Sequence, residues 1–107
     1  TTASNNTAVG VQAATANTTG ANNSAFGYIA LSSNTTGDQN TALGRGTLAS
    51  NTTADDNTGV GYNALNQNTT GTGNTAVGSR AGDAITTGSE NTAIGFASLT
   101  NATIILE

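Results

Sequence analysis

Few residues in this chain can do chemistry. Its charge rests on two Lys or Arg residues and six acidic ones, and it has neither His nor Cys. Without those two types there is no imidazole base, no thiolate metal site and no disulfide. Among the acids, Asp38 and Asp55 with the adjacent Asp56, and Glu90 further on, offer oxygen ligands that could hold Ca²⁺ weakly. The competing reading is a solvated turn. Arg45 and Arg80 lie in segments that also place Tyr28, Tyr62 and Phe96. Such a group suits a receptor- or sugar-binding strip, or plain packing at a corner. Asn-Thr-Thr triplets match the glycosylation acceptor pattern. In so Asn- and Thr-rich a chain chance matches are expected, and turn or ladder chemistry reads better. No Ser or Thr has a partner base, and Asp55 and Asp56, being neighbours, should point apart rather than form a hydrolytic pair. The expectation is a non-enzyme with no catalytic residue and no cofactor.

The elements that position these residues follow from a repeat. From Asn6 the chain reads in lines of seventeen: NTAVGVQAATANTTGAN, NSAFGYIALSSNTTGDQ, NTALGRGTLASNTTADD, NTGVGYNALNQNTTGTG, NTAVGSRAGDAITTGSE and NTAIGFASLTNATIILE. Each line opens on Asn: Asn6, Asn23, Asn40, Asn57, Asn74 and Asn91. The fifth place is always Gly and the thirteenth always Thr, namely Thr18, Thr35, Thr52, Thr69, Thr86 and Thr103. A period this strict defines the fold class. Seventeen residues are too few for a helix pair or a propeller blade, and no helical period is present. The length suits one coil of a parallel β-solenoid, with counterparts stacked at the strand spacing of about 4.8 Å and six coils spanning about 29 Å. Residues 1–107 are read as a single repeat domain. The chain starts in mid-pattern, as a piece of a longer protein would. The last coil is expected to leave the regular path after about Ala102, where Ile104 and Ile105 replace the usual polar residues.

The segment Asn-Thr-Ala-Val-Gly reads as a strand. Its fourth place holds Val9, Phe26, Leu43, Val60, Val77 and Ile94; its third holds Ala8, Ala25, Ala42, Ala76 and Ala93, with Gly59 the exception. Neighbouring places face opposite ways, so both faces are apolar and both are expected to be buried. The ninth place is Leu31, Leu48, Leu65 and Leu99, with Ala14 and Gly82 as exceptions. The NTTG segment reads as a second strand forming the solvent-facing wall. The expected arrangement leaves the alanine face uncovered by the chain's own coils. Small residues allow close approach, so copies should pack through an alanine-lined interface around a common axis.

The units NTAVGVQAATANTTG and NTAIGFASLTNATI resemble two groups of fibre repeats. One is the head of YadA-like trimeric autotransporter adhesins, a left-handed parallel β-roll; the other is a phage tail-fibre repeat of the NTAVG and NTTG type. The resemblance spans Asn6 to about Thr103. It implies a homotrimer in which three left-handed rolls pack side by side. It also implies an extracellular fibre on a bacterial surface or a virion, which displays or performs attachment to a host-cell surface protein or glycan. The adhesin repeat is shorter than seventeen residues, so its coil path does not transfer. With only two basic residues no nucleic-acid surface is expected. No apolar run reaches the roughly 18–20 residues of a membrane span, so no insertion of this segment is expected. Two other readings stand beside the fibre. Stacked threonines resemble the ice-binding faces of some antifreeze proteins, although here Thr19, Thr36, Thr53, Thr70 and Thr87 adjoin the first column, so that one column alone faces outward cleanly. A passive spacer is the other.

Overall fold

The computed structural model describes residues 3–100. Six three-residue strands, β1 (Thr7–Val9), β2 (Ser24–Phe26), β3 (Thr41–Leu43), β4 (Thr58–Val60), β5 (Thr75–Val77) and β6 (Thr92–Ile94), form one parallel sheet in chain order. Equivalent residues pair across every step: Ala25 with Ala42, then Leu43 with Val60. The result is a β-solenoid whose coil is the seventeen-residue line. Ala102 and Thr103, where the last coil should turn irregular and the thirteenth-place threonines end, lie outside the described residues.

Each coil holds one strand, not two. After the strand come three overlapping turns, seen in coil three as Thr47 N–H to Gly44 O (3.2 Å), Ala49 to Gly46 (3.3 Å) and Asn51 to Leu48 (3.2 Å). The first two need a left-handed third residue. Places seven and nine supply it whatever stands there: Leu31, Leu48 and Leu65 have φ of 55, 53 and 51°. Such a conformation costs an L-residue roughly 1–2 kcal/mol. It persists because the neighbouring coil holds the same backbone, as when Leu48 N–H donates to Ala64 O at 3.0 Å. The NTTG segment is a bend rather than the expected strand. It still bonds to the next coil, with Thr18 N–H on Thr35 O at 3.0 Å and Thr35 N–H on Thr52 O at 2.9 Å. The fifth-place glycines have φ from 118 to 132°, and a Cβ at Gly44 would sit 2.6 Å from Gly61 O. Gly10, Gly27, Gly44, Gly61 and Gly78 carry both constraints, while Gly95 carries the positive φ alone.

The interior corrects the expected packing. Ala25, Ala42 and Ala76 are 0% exposed and Ala93 2%; they meet Leu31, Leu48 and Leu65 inside the coil. Ala8, in the first coil, is exposed. The alanine column is therefore the chain's own core and not an interface between copies. A seventeen-residue loop encloses a narrow space, and only small residues on the strand leave room for the leucines opposite. The large residues Val9, Phe26, Leu43, Val77 and Ile94 face outward, 38–61% exposed, and Val60 is half-buried. Both faces being apolar, composition alone did not mark which one points in.

The rest of the interior is polar. First-place Asn40 donates its amide to Ala54 O at 2.8 Å and accepts the N–H of Asn57 on its Oδ1 at 2.9 Å. Twelfth-place Asn51 donates to the same Ala54 O at 3.0 Å and to Asn34 Oδ1 at 2.9 Å, and accepts from Asn68 at 3.0 Å. Asn34, Asn51, Asn57, Asn68 and Asn74 are fully buried. Two columns of asparagine thus converge on one carbonyl per coil, and hydrogen bonds link each column from coil to coil.

Where a coil breaks the pattern, a second change compensates. Gly59 stands in the alanine column, and a Cβ there would lie 2.6 Å from Thr47 Cγ2. Thr47 itself stands at the eighth place, where Ala13, Ala30, Ala64 and Ala81 stand in coils one, two, four and five. Likewise Gly82 replaces leucine, while Ile85 replaces the twelfth-place Asn; a Cβ on Gly82 would lie 3.3 Å from Ile85 Cδ1.

Gly59→Ala is expected to cost about 1–3 kcal/mol alone through overpacking. In a Thr47→Ala background, which restores the Ala–Ala pair of other coils, the cost should vanish; chemical denaturation of the two variants and the double measures this. Asn51→Leu should destabilise by about 3 kcal/mol or more, since it leaves the Asn68 amide with one partner fewer and crowds the column.

Candidate functional site

The outward face of the sheet is the most unusual surface on the molecule. Along each strand the second place is Thr or Ser, and it is half-buried in β2 to β5. The fourth place is the large apolar column just described. Beyond the fifth-place glycine a further outward column follows at the sixth place: Val11, Tyr28, Arg45, Tyr62, Ser79 and Phe96. Val11, Tyr28, Tyr62 and Phe96 are exposed. The fourth-place column makes a continuous apolar stripe along the stack, and the sixth-place column beside it widens the stripe except at Arg45 and Ser79; a soluble monomer usually scatters its exposed apolar residues.

Within it, Arg45 lies between tyrosines one coil below and one coil above. Its guanidinium carbon is 5.4 Å from the Tyr28 ring centroid and 5.5 Å from that of Tyr62. This is cation–π contact on both faces of the cation. The seventeen-residue period supplies it, because sixth-place residues stand one above another. Phe96 sits in the same column but beyond Ser79, away from this sandwich. Arg80 occupies the seventh place, with φ 61°, and its Nε lies 3.8 Å from Asp83 Oδ2, the one ion pair among the described residues. Thus the structure gathers Tyr28, Arg45 and Tyr62 and leaves Arg80 and Phe96 apart. The ring-on-cation stack was not foreseen; its signal was the shared sixth place of three residues.

The acids do not converge. Asp38 Oδ1 accepts the N–H of Ala21 at 2.8 Å, and Asp55 Oδ1 that of Asp38 at 2.7 Å. Asp56 is exposed in left-handed conformation, φ 62°. Among the described residues no three acidic groups come together to hold a metal. The two sixteenth-place aspartates act instead as backbone acceptors linking adjacent coils.

On the opposite wall Thr19, Thr36, Thr53, Thr70 and Thr87 are exposed. The preceding threonines turn their hydroxyls to the next coil, Thr18 to Thr35 O at 3.0 Å and Thr35 to Thr52 O at 3.2 Å. The asparagines of three triplets, Asn34, Asn51 and Asn68, are buried with their amides engaged, which leaves them no room for a glycan in the fold.

No protein-family model, curated protein or solved structure matches the chain.

Asp55→Ala is expected to cost about 1 kcal/mol by unpairing the Asp38 N–H, and Asp55→Asn, which keeps an acceptor, less. Millimolar Ca²⁺ should leave the melting temperature of the wild-type protein unchanged; a thermal melt with and without the ion checks both.

Proposed function

We propose that this chain is a structural and adhesive segment of a homotrimeric fibre on a cell surface or a virion. In this reading the apolar stripe is where copies pack. The observation that carries it is the outward column from Val9 to Ile94, large, apolar and 38% exposed or more at five of its six places. A stripe on one side of a regular rod is buried most economically by rods lying side by side around a shared axis. The resemblance to adhesin-head and tail-fibre repeats supplies the number three, the left-handed coil and the extracellular setting. The threonine wall and any sixth-place residues at the rim then face outward, toward a host-cell protein or glycan. A ladder bonded through buried amides suits a rod that carries load along its axis.

A second reading has its own observation: five exposed threonines at one place in five successive coils, at the strand spacing. That wall would bind ice. Thermal hysteresis and ice shaping by the purified protein test it, and their absence at high concentration removes it.

For the fibre reading, sedimentation equilibrium should give three times the chain mass. Leu43→Asp, on the outward column, should return the protein to monomer while far-UV circular dichroism stays unchanged. A wild-type protein that is monomeric at high concentration would overturn this reading.

A further inference from the structure

Arg45 carries a charge that the chain itself does not neutralise. Among the described residues the one ion pair joins Arg80 to Asp83, so Arg45 has no carboxylate of its own. No acid stands at the sixth or seventh place of any coil, although the chain as a whole has a net charge of −4. The side chain is exposed, yet it is held in place. Tyr28 and Tyr62 cover the two faces of its guanidinium, and each tyrosine is still 47% exposed. What the rings leave uncovered is the edge of the guanidinium, where its N–H donors lie in one plane.

We infer that this edge is a binding site for the carboxylate of an acidic sugar, formed by Arg45 between Tyr28 and Tyr62. The inference deepens the attachment reading proposed above by naming its ligand class, and it rests on that reading for its biological setting alone, since all three residues belong to one chain. A guanidinium with a ring on either face meets a carboxylate edge to edge, through paired N–H···O bonds. The rings already restrict the side chain, so little further ordering accompanies binding. The tyrosines one coil below and one coil above offer the C–H groups of a sugar ring apolar contact beside the charge. The sixth place lies past the glycine at the border of the stripe, which keeps the site open at the rim when copies pack.

The surroundings decide against other anions. A polyphosphate or a densely sulfated chain needs a row of cations, whereas here one unpaired arginine stands in a chain of net negative charge. An extended peptide adding itself as a strand needs backbone acceptors on the flank. Those are taken: Phe26 O accepts the N–H of Gly44 at 2.8 Å, Tyr28 O that of Gly46 at 3.0 Å and Arg45 O that of Asn63 at 2.8 Å. A compact ligand with a single carboxylate and an apolar ring face fits what remains. One such contact is weak by itself, and identical sites on the copies of a fibre gain by acting together on a glycan-covered surface.

The test is an NMR titration of the isotope-labelled protein with the methyl glycosides of glucuronic acid and sialic acid, against methyl glucoside, acetate and a short acidic peptide. The acidic sugars should shift the signals of Tyr28, Arg45 and Tyr62 at millimolar concentration, and the neutral sugar and acetate should bind about tenfold more weakly or worse. Arg45→Gln should abolish the shifts, and Arg45→Lys should not restore them, because an ammonium lacks the planar fork. Arg80→Gln should leave them unchanged. Circular dichroism checks the fold of each variant; if Arg45→Gln fails to fold, Tyr62→Leu serves, with binding weakened several-fold. Absence of shifts, acetate binding as tightly as the acidic sugars, binding that survives Arg45→Gln, or tighter binding of the peptide would each overturn the inference. Sedimentation of the same samples separates the two readings: a monomer that binds keeps the site and removes the trimer, and a trimer that does not bind removes the site and leaves the fibre.

Discussion

The structure depends on the two interior columns of asparagine. A coil with so few large apolar residues cannot be held by burial alone. What closes it is the first-place amide reaching the fifteenth-place carbonyl, as Asn57 does to Gly71 O at 2.8 Å. What stacks it is the same side chain accepting the next coil's N–H. In a buried setting such bonds are strong when complete and costly when one is missing. Every coil therefore needs Asn at the same place. The period of the sequence follows from this: a residue that bonds its own counterpart cannot drift.

The glycine and turn positions serve the same stacking. Gly44 lies where a side chain would strike the next coil's backbone, and Leu48 holds a left-handed conformation that an isolated chain would avoid. The ladder on either side holds that strain in place. Interior space is then so limited that the strand can turn only alanine inward. The large residues must go outward, and a stripe of exposed apolar side chains is the consequence. The exposure of that stripe is in this sense a product of the coil's narrowness, since a wider coil would have swallowed Phe26 and Leu43. The changes at Thr47 with Gly59, and at Gly82 with Ile85, show how tightly the interior is filled.

The candidate surface was partly legible in the residues alone. The sixth and seventh places drew attention through Tyr28, Arg45, Tyr62, Arg80 and Phe96, and the structure does set the first three together at a corner. Their stacking needed only the recognition that one place in successive lines means one above another. For the aspartates the residues left a weak ion site and a solvated turn open, and neither reading includes the partner that Asp38 and Asp55 have in the structure, the backbone N–H one coil away.

By itself the sequence determined the coil length, the parallel stacking and the places of the corner glycines, because each of these follows from a strict period in residues of narrow conformational range. It also marked the Asn-Thr-Thr segment as a wall with no large apolar residue. Only the tertiary structure decided which apolar face of the strand lies inside, that one strand and not two occurs in each coil, and that the asparagines point inward. The physical reason is common to all three. Alternation tells two faces apart but does not label them, and what labels them is the width of the closed coil together with the hydrogen bonds that its buried amides must find.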